Sequence, residues 1–193
     1  AVIMVSETMA SGYRRTTVSD ELAIAPQARS GPRGDHYYMH RALDQARLAF
    51  EAGEVPVGAV VVNPQGDIIG TGYNAPVSTP DPTAHAEVQA LRAAAARLGN
   101  YRLDDCTLYV TLEPCSTTGR TPPCSEAIQK AGIKRVVVGA TDPNPNHAGR
   151  AFRVLRKAGI EVRHKVLLPE ARALNEAFNH WITTGLPWVT VKA

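Results

Sequence analysis

Apolar residues recur at helical spacing from residue 35 onward. Met39, Leu43, Ala46 and Phe50 share one face of a predicted helix that opens at Asp35 as N-cap and closes at Gly53. Two short runs rich in β-branched residues follow at 57–62 and 68–73, joined as a hairpin by the turn residues 63–67. Helical spacing returns at Val88, Leu91, Ala95 and Leu98, with Thr83 as the expected cap and Gly99 as the stop. A third strand is predicted at 107–112. Thr121 and Pro122 then have the chemistry of an N-cap and a first helical residue, for a short helix ending at Gly132. A fourth strand (136–138), turn chemistry (142–145), a helix (151–157), a strand (160–166), a helix (170–182) and a last strand (187–193) complete the pattern.

Helices alternating with short strands after one hairpin predict an α/β fold, a three-layer α/β/α domain around a mixed sheet. Residues 1–34 lack a sustained period and end in the breaker cluster Ser30, Gly31, Pro32, Arg33, Gly34, so a flexible leader is expected. The domain is expected over 35–168, with a C-terminal helix and strand over 169–193. The 193 residues suit one domain and a tail. No stretch approaches 18 apolar residues, so no membrane span is expected. A net charge of +3 permits a phosphorylated or nucleic-acid partner without arguing for one. Three cysteines are too few and too odd for a disulfide framework, and they point to a reducing, cytoplasmic setting. Residues 1–5 are too short for a signal-peptide core, and the lack of an initial Met leaves the natural start open.

The candidate chemistry lies at element ends. His85 stands at the start of the second predicted helix, Cys115 follows the third strand, and Cys124 opens the next helix. One imidazole and two thiolates suit zinc, and the set is neutral overall once the ion is bound. Helix N-termini at His85 and Cys124 favour the thiolate form. Three protein ligands leave a fourth position for water, as a catalytic zinc requires. Glu87, two residues after His85, can take the proton of that water and return it to a ring nitrogen and a departing amine. A structural zinc with Cys106 as fourth ligand is the competing arrangement. Cys106 and Cys115 flank opposite ends of a strand, roughly 20 Å apart at ~3.3 Å per residue. Cys106 is therefore expected to be a buried packing residue.

The His-x-Glu pair with a later Pro-Cys resembles the cytidine-deaminase-like superfamily over roughly residues 36–165. The resemblance implies a five-stranded sheet flanked by helices, with Zn²⁺ held between two helix N-termini. Within the superfamily the stretch 113–124, with eight residues between Cys115 and Cys124, is similar to the zinc loop of the riboflavin-pathway pyrimidine deaminases. Residues 142–145, Gly149, Arg150 and 157–162 also match that family, and 184–193 looks like the entry strand of its reductase partner. The first half instead resembles the bacterial tRNA adenosine deaminases, at 54–58, 72–74, 81–87, 100–103 and 107–115. Those enzymes have two residues between the cysteines, which this chain does not. The pyrimidine deaminases usually carry Asn where Glu54 stands and His where Thr117 stands, both at positions tied to substrate contact.

The second half decides the expectation, because the loop between the cysteines forms one wall of the pocket. It implies hydrolytic deamination of a phosphoribosylated diaminopyrimidine, with a reductase domain or protein as partner and assembly as a homo-oligomer. Carried over, Arg120 meets the ribose phosphate, Asn144 meets the ribose or base edge, and Asn74 recognises the base. Base deamination in tRNA, or of another nucleobase or nucleoside, is the alternative enzyme. A catalytically silent zinc-bearing scaffold is the non-enzymatic one. The long loop and modest charge weigh against nucleic acid.

Overall fold

The computed structural model describes residues 33–119, 121–144 and 147–190. The expected leader lies almost wholly outside the described residues. Eleven elements follow in order: α1 (Asp35–Glu51), β1 (Gly58–Val62), β2 (Ile68–Tyr73), α2 (Ala86–Leu98), β3 (Thr107–Leu112), α3 (Cys124–Lys130), β4 (Arg135–Ala140), α4 (Arg150–Lys157), β5 (Glu161–His164), α5 (Leu168–Leu174) and α6 (Glu176–Thr184). The strands form one five-stranded mixed sheet, ordered β2-β1-β3-β4-β5. β1 is antiparallel to both β2 and β3, whereas β3–β4 and β4–β5 are parallel. β2, β3, β4 and β5 therefore all run one way, and their carboxyl ends share one edge with the start of β1.

Strand alternation sorts the core into two layers. Val60, Val62, Tyr109 and Val137 pack with Tyr38, Met39 and Ala42 of α1. Ala59, Val61, Leu108, Val110, Val136 and Val138 face the other way, toward Ala90 and Leu91 of α2, Ile128 of α3 and Leu155 of α4. α5 packs on the face of α1, where its Ala171 closes over Gly139. On the opposite face α2 sits directly on β2. A Cβ on Gly72 would run into the Ala86 carbonyl oxygen and the Ala90 amide, so only glycine lets the helix backbone approach the strand this closely. That contact sets the height of the first turn of α2.

Several local expectations shift. Asp35 is not the N-cap of α1 but its first residue, after Gly34. Its carboxylate is drawn across the fold, accepting both terminal nitrogens of Arg135 (2.8 Å each), Arg163 Nη1 (2.6 Å) and the Tyr109 hydroxyl (2.9 Å). Phe50, placed on the buried face by spacing alone, is 62% exposed, because the buried stripe runs through Met39, Ala42, Ala46 and Ala49 and turns Phe50 out of the core. The buried stripe of α2 is Ala86, Glu87, Ala90, Leu91 and Ala94, leaving Leu98 exposed. α3 starts at Cys124 with Pro123 as N-cap, later than Thr121 and Pro122 suggested. The helix expected at 170–182 is two helices broken at Asn175, whose side-chain amide donates to the Pro56 carbonyl (2.8 Å) instead of continuing a smooth surface. Residues 187–190 pair with no strand among the described residues; the rest of that expected strand lies outside them.

Candidate active site

Because four strands are codirectional, the residues that leave β2, β3 and β4 emerge at a single edge of the sheet. They are Asn74, the run Glu113, Pro114 and Cys115, and the segment 141–144. Open α/β sheets bind ligands at such carboxyl edges. The N-termini of α2 and α3 arrive at the same place. His85 is the extended N-cap of α2, and Cys124 is the first residue of α3.

Three side chains converge there. The Cys124 Sγ lies 3.3 Å from the His85 Nδ1, and the Cys124 backbone N–H donates to the Cys115 Sγ at 3.1 Å. The ligand atoms of His85, Cys115 and Cys124 all lie within 4.8 Å of one another. Tetrahedral zinc with bonds of about 2.0–2.3 Å sets its ligands roughly 3.5–3.8 Å apart, so the donor set fits the ion in both chemistry and size. The Cys124 thiol and backbone N–H both serve the Cys115 sulfur, with a further hydrogen bond from His85. Together they pull the Cys115 thiol down to about 4 despite burial. Cys124 is pushed up, because it keeps the shared proton and is desolvated. His85 is raised, first by its bond to Cys115. A sulfur-borne negative charge between two helix N-termini is a ready site for a dication.

Glu87 sits on the first turn of α2 and is 3% exposed. Burial pushes its carboxyl up to about 7, and the Cys115 thiolate pushes the same way. A carboxyl held near neutrality can take and return a proton. Asn74 steadies this turn. Its Oδ1 accepts the Ala86 N–H at 2.9 Å, satisfying one of the unpaired amides that open α2. That task was expected of Thr83, whose hydroxyl instead donates to Asp81 Oδ1 at 2.6 Å.

The model of the cytidine and deoxycytidylate deaminase zinc-binding region matches residues 32–140. The chain belongs to this zinc-binding deaminase family. A relative in the family, the riboflavin biosynthesis protein RibD of Escherichia coli K12, is 45% identical over 160 residues, covering 82% of this chain and 41% of that protein. The crystal structure of a Thermotoga maritima diaminohydroxyphosphoribosylaminopyrimidine deaminase/5-amino-6-(5-phosphoribosylamino)uracil reductase matches with a TM-score of 0.69 at 40% identity. The match covers 79% of this chain and 42% of that one. A structure from work on tRNA:A34 deaminases matches with a TM-score of 0.62 at 36% identity, covering 72% of this chain and 98% of that one. The chain thus spans about two-fifths of the length of the RibD relatives it matches. These findings place His85, Cys115 and Cys124 in a zinc-binding deaminase region.

The remaining candidates divide. Asn144 lies at the same sheet edge, in a turn where its backbone N–H is held by Asp142 Oδ1 at 2.8 Å and its carbonyl accepts the His147 and Ala148 N–H groups. Arg120 lies outside the described residues. Cys106 is 2% exposed at the far end of β3, outside the metal cluster, as a packing residue should be. Glu54 is bound within the protein, its Oε1 accepting the Val77 and Ser78 N–H groups at 2.9 and 2.7 Å. Sequence reasoning missed the part played by Glu113, whose buried carboxylate binds three backbone amides between residues 142 and 151. A carboxylate directly after a largely buried strand was the available signal. Beyond the 140–143 segment lies a cavity of about 740 Å³, walled on its other side by Arg172, Asn179, His180 and Trp188. No described helix is long and apolar enough to cross a membrane.

Proposed function

We propose that this chain catalyses the hydrolytic deamination of a phosphoribosylated diaminopyrimidine, the reaction named for its Thermotoga relative. The observation that carries the reading is the eight-residue spacing between Cys115 and Cys124, similar to that of the riboflavin-pathway enzymes, within a chain 40–45% identical to RibD relatives. Bound by His85, Cys115 and Cys124, zinc supplies a Lewis acid that makes a water molecule acidic enough to lose its proton near neutral pH. The Glu87 carboxylate accepts that proton and gives it to the ring nitrogen, then takes the proton left on the attacking oxygen and gives it to the amine. Water oxygen replaces nitrogen on the ring carbon, the C–N bond breaks, and ammonia leaves. Burial of Glu87 keeps its affinity for the proton close to what both transfers need. Asn74 keeps the α2 turn that carries Glu87 in place while also lying where the base would be read. Arg120 serves the ribose phosphate and Asn144 the ribose or base edge, and the reductase named for the Thermotoga protein is the proposed partner activity, in a further domain or a separate protein. A reducing, cytoplasmic setting suits free thiols at the metal site.

A second reading, deamination of adenosine in tRNA, draws on the likeness to the tRNA:A34 deaminase structure over 98% of that chain. Ammonia release by the zinc-loaded protein separates the two. The expected result is release from the phosphoribosyl pyrimidine and none from a cognate tRNA stem-loop. Release from the stem-loop alone overturns the first reading.

A further inference from the structure

Glu113 closes β3 and directly precedes Pro114 and the zinc ligand Cys115, yet it is 5% exposed and touches no ligand atom of the metal cluster. Its hydrogen bonds run the other way. Oε2 accepts the N–H groups of Asp142 (3.2 Å) and Gly149 (2.9 Å), and Oε1 accepts that of Ala151 (3.0 Å). These three amides lie 29 to 38 residues away in sequence, one just past the end of β4 and two at the start of α4. The residue's own N–H donates to the carbonyl of Ala140, the last residue of β4, at 2.8 Å, so its main chain extends the β3–β4 pairing while its side chain reaches the residues beyond β4.

The arrangement does the work of a helix cap from a distance. Gly149, the N-cap of α4, has no side chain to offer and stands at φ +72°, which turns its N–H inward. Of the amides that open the helix, that of Arg150 donates to the His147 carbonyl (2.8 Å), while those of Gly149 and Ala151 go to Glu113, and a carboxylate is the favoured partner at that positive end. A buried carboxylate is costly unless its oxygens are matched, and here three N–H groups match them. The connection so held carries Asn144 and forms one wall of the 740 Å³ cavity through Asp142 and Pro143.

We propose that Glu113 is a positioning residue for the substrate, holding Asp142, Gly149 and Ala151 against the strand end that carries Cys115 so that Asn144 is presented to the phosphoribosyl end. The inference rests on the pyrimidine-deaminase reading above. Its test uses the full chain loaded with zinc and the variant Glu113→Gln, which turns one acceptor into a donor facing an N–H. Hydrogen–deuterium exchange of the amides of Asp142, Gly149 and Ala151 is expected to quicken by about tenfold or more. Zinc should remain at one ion per chain. KM for the phosphoribosyl pyrimidine should rise by about tenfold with kcat changed by less than about threefold, since one charge-assisted hydrogen bond holding the contact is lost. For the same pyrimidine lacking ribose phosphate, kcat/KM should stay as in the wild type. Glu113→Asp, which keeps both acceptors one methylene back, should recover most of the protection and of KM, and it carries the test if the Gln variant does not fold. Unchanged exchange at all three amides, zinc loss, or an equal fall in kcat/KM for both substrates overturns the proposal. If the wild type acts only on the tRNA stem-loop, the reading of the substrate fails by itself. The exchange result and the KM-against-kcat split on that RNA then still decide whether Glu113 positions the segment.

Discussion

Asp35→Asn should remove a pH-dependent share of the stability of this fold. The Asp35 carboxylate, 10% exposed, takes a two-pronged bond from Arg135, a second ion pair from Arg163 and the hydroxyl of Tyr109. Led by the Arg135 bond, these partners outweigh burial and hold its carboxyl at about 2, against an ordinary 3.8. A depression of that size corresponds to about 2.5 kcal/mol of stability in the charged form. Arg163 is 55% exposed, so solvent screening trims the share to about 1.5–2 kcal/mol. A carboxyl depressed by folding contributes fully above its unfolded value and loses its contribution as pH falls through the folded one. The stability gap between wild type and Asp35→Asn, measured by urea unfolding, should therefore be fully open at pH 6 and about half closed near pH 3. Both proteins carry the same metal site, so any loss of zinc in acid cancels in the difference. A gap under about 0.5 kcal/mol at pH 6, or one that stays constant from pH 6 to pH 3, would refute the reasoning.

Other consequences can be checked directly. Glu87→Gln keeps the shape of the buried side chain but cannot move a proton, so ammonia release should fall at least about a thousandfold while zinc content by atomic absorption stays unchanged. Near-normal turnover would remove Glu87 from the mechanism. Gly72→Val would drive a side chain into the Ala86 carbonyl and the Ala90 amide. It should destabilise the protein by about 3 kcal/mol or more and displace the first turn of α2, read as lower melting temperature and weakened zinc binding in a chelator competition. Cys106→Ala should cost only about 1–2 kcal/mol and leave zinc stoichiometry unaltered. Loss of the ion in that variant would restore the four-ligand structural site.

The order of elements from α1 to β5, the mixed α/β class and the cluster of His85, Cys115 and Cys124 were legible in the chain, whereas the single C-terminal helix and closing strand it suggested were not what formed. Hydrophobic periodicity reports which face of an element meets the core, and local motifs such as Thr83 to Glu87 or Glu113 to Cys115 carry their chemistry within a few residues. Sequence spacing also separated Cys106 from the other cysteines, because a six-residue strand is a ruler of known length. What the chain did not disclose depends on partners distant in sequence. Asp35 reads as a cap until the fold brings Arg135 and Arg163 to it, 100 and 128 residues away. Thr83 has the right chemistry to cap α2, but Asp81 takes its hydroxyl and Asn74 arrives from β2 to do the capping. Glu113 reads as part of a metal motif until α4 folds back and presents its open amides. Local propensity and periodicity are properties of neighbouring residues and survive in the bare sequence. Which acceptor satisfies which buried amide is settled only when the sheet aligns the carboxyl ends of β2, β3 and β4, because a hydrogen bond or a buried charge is decided by what lies within about 3 Å and not by what lies next in the chain.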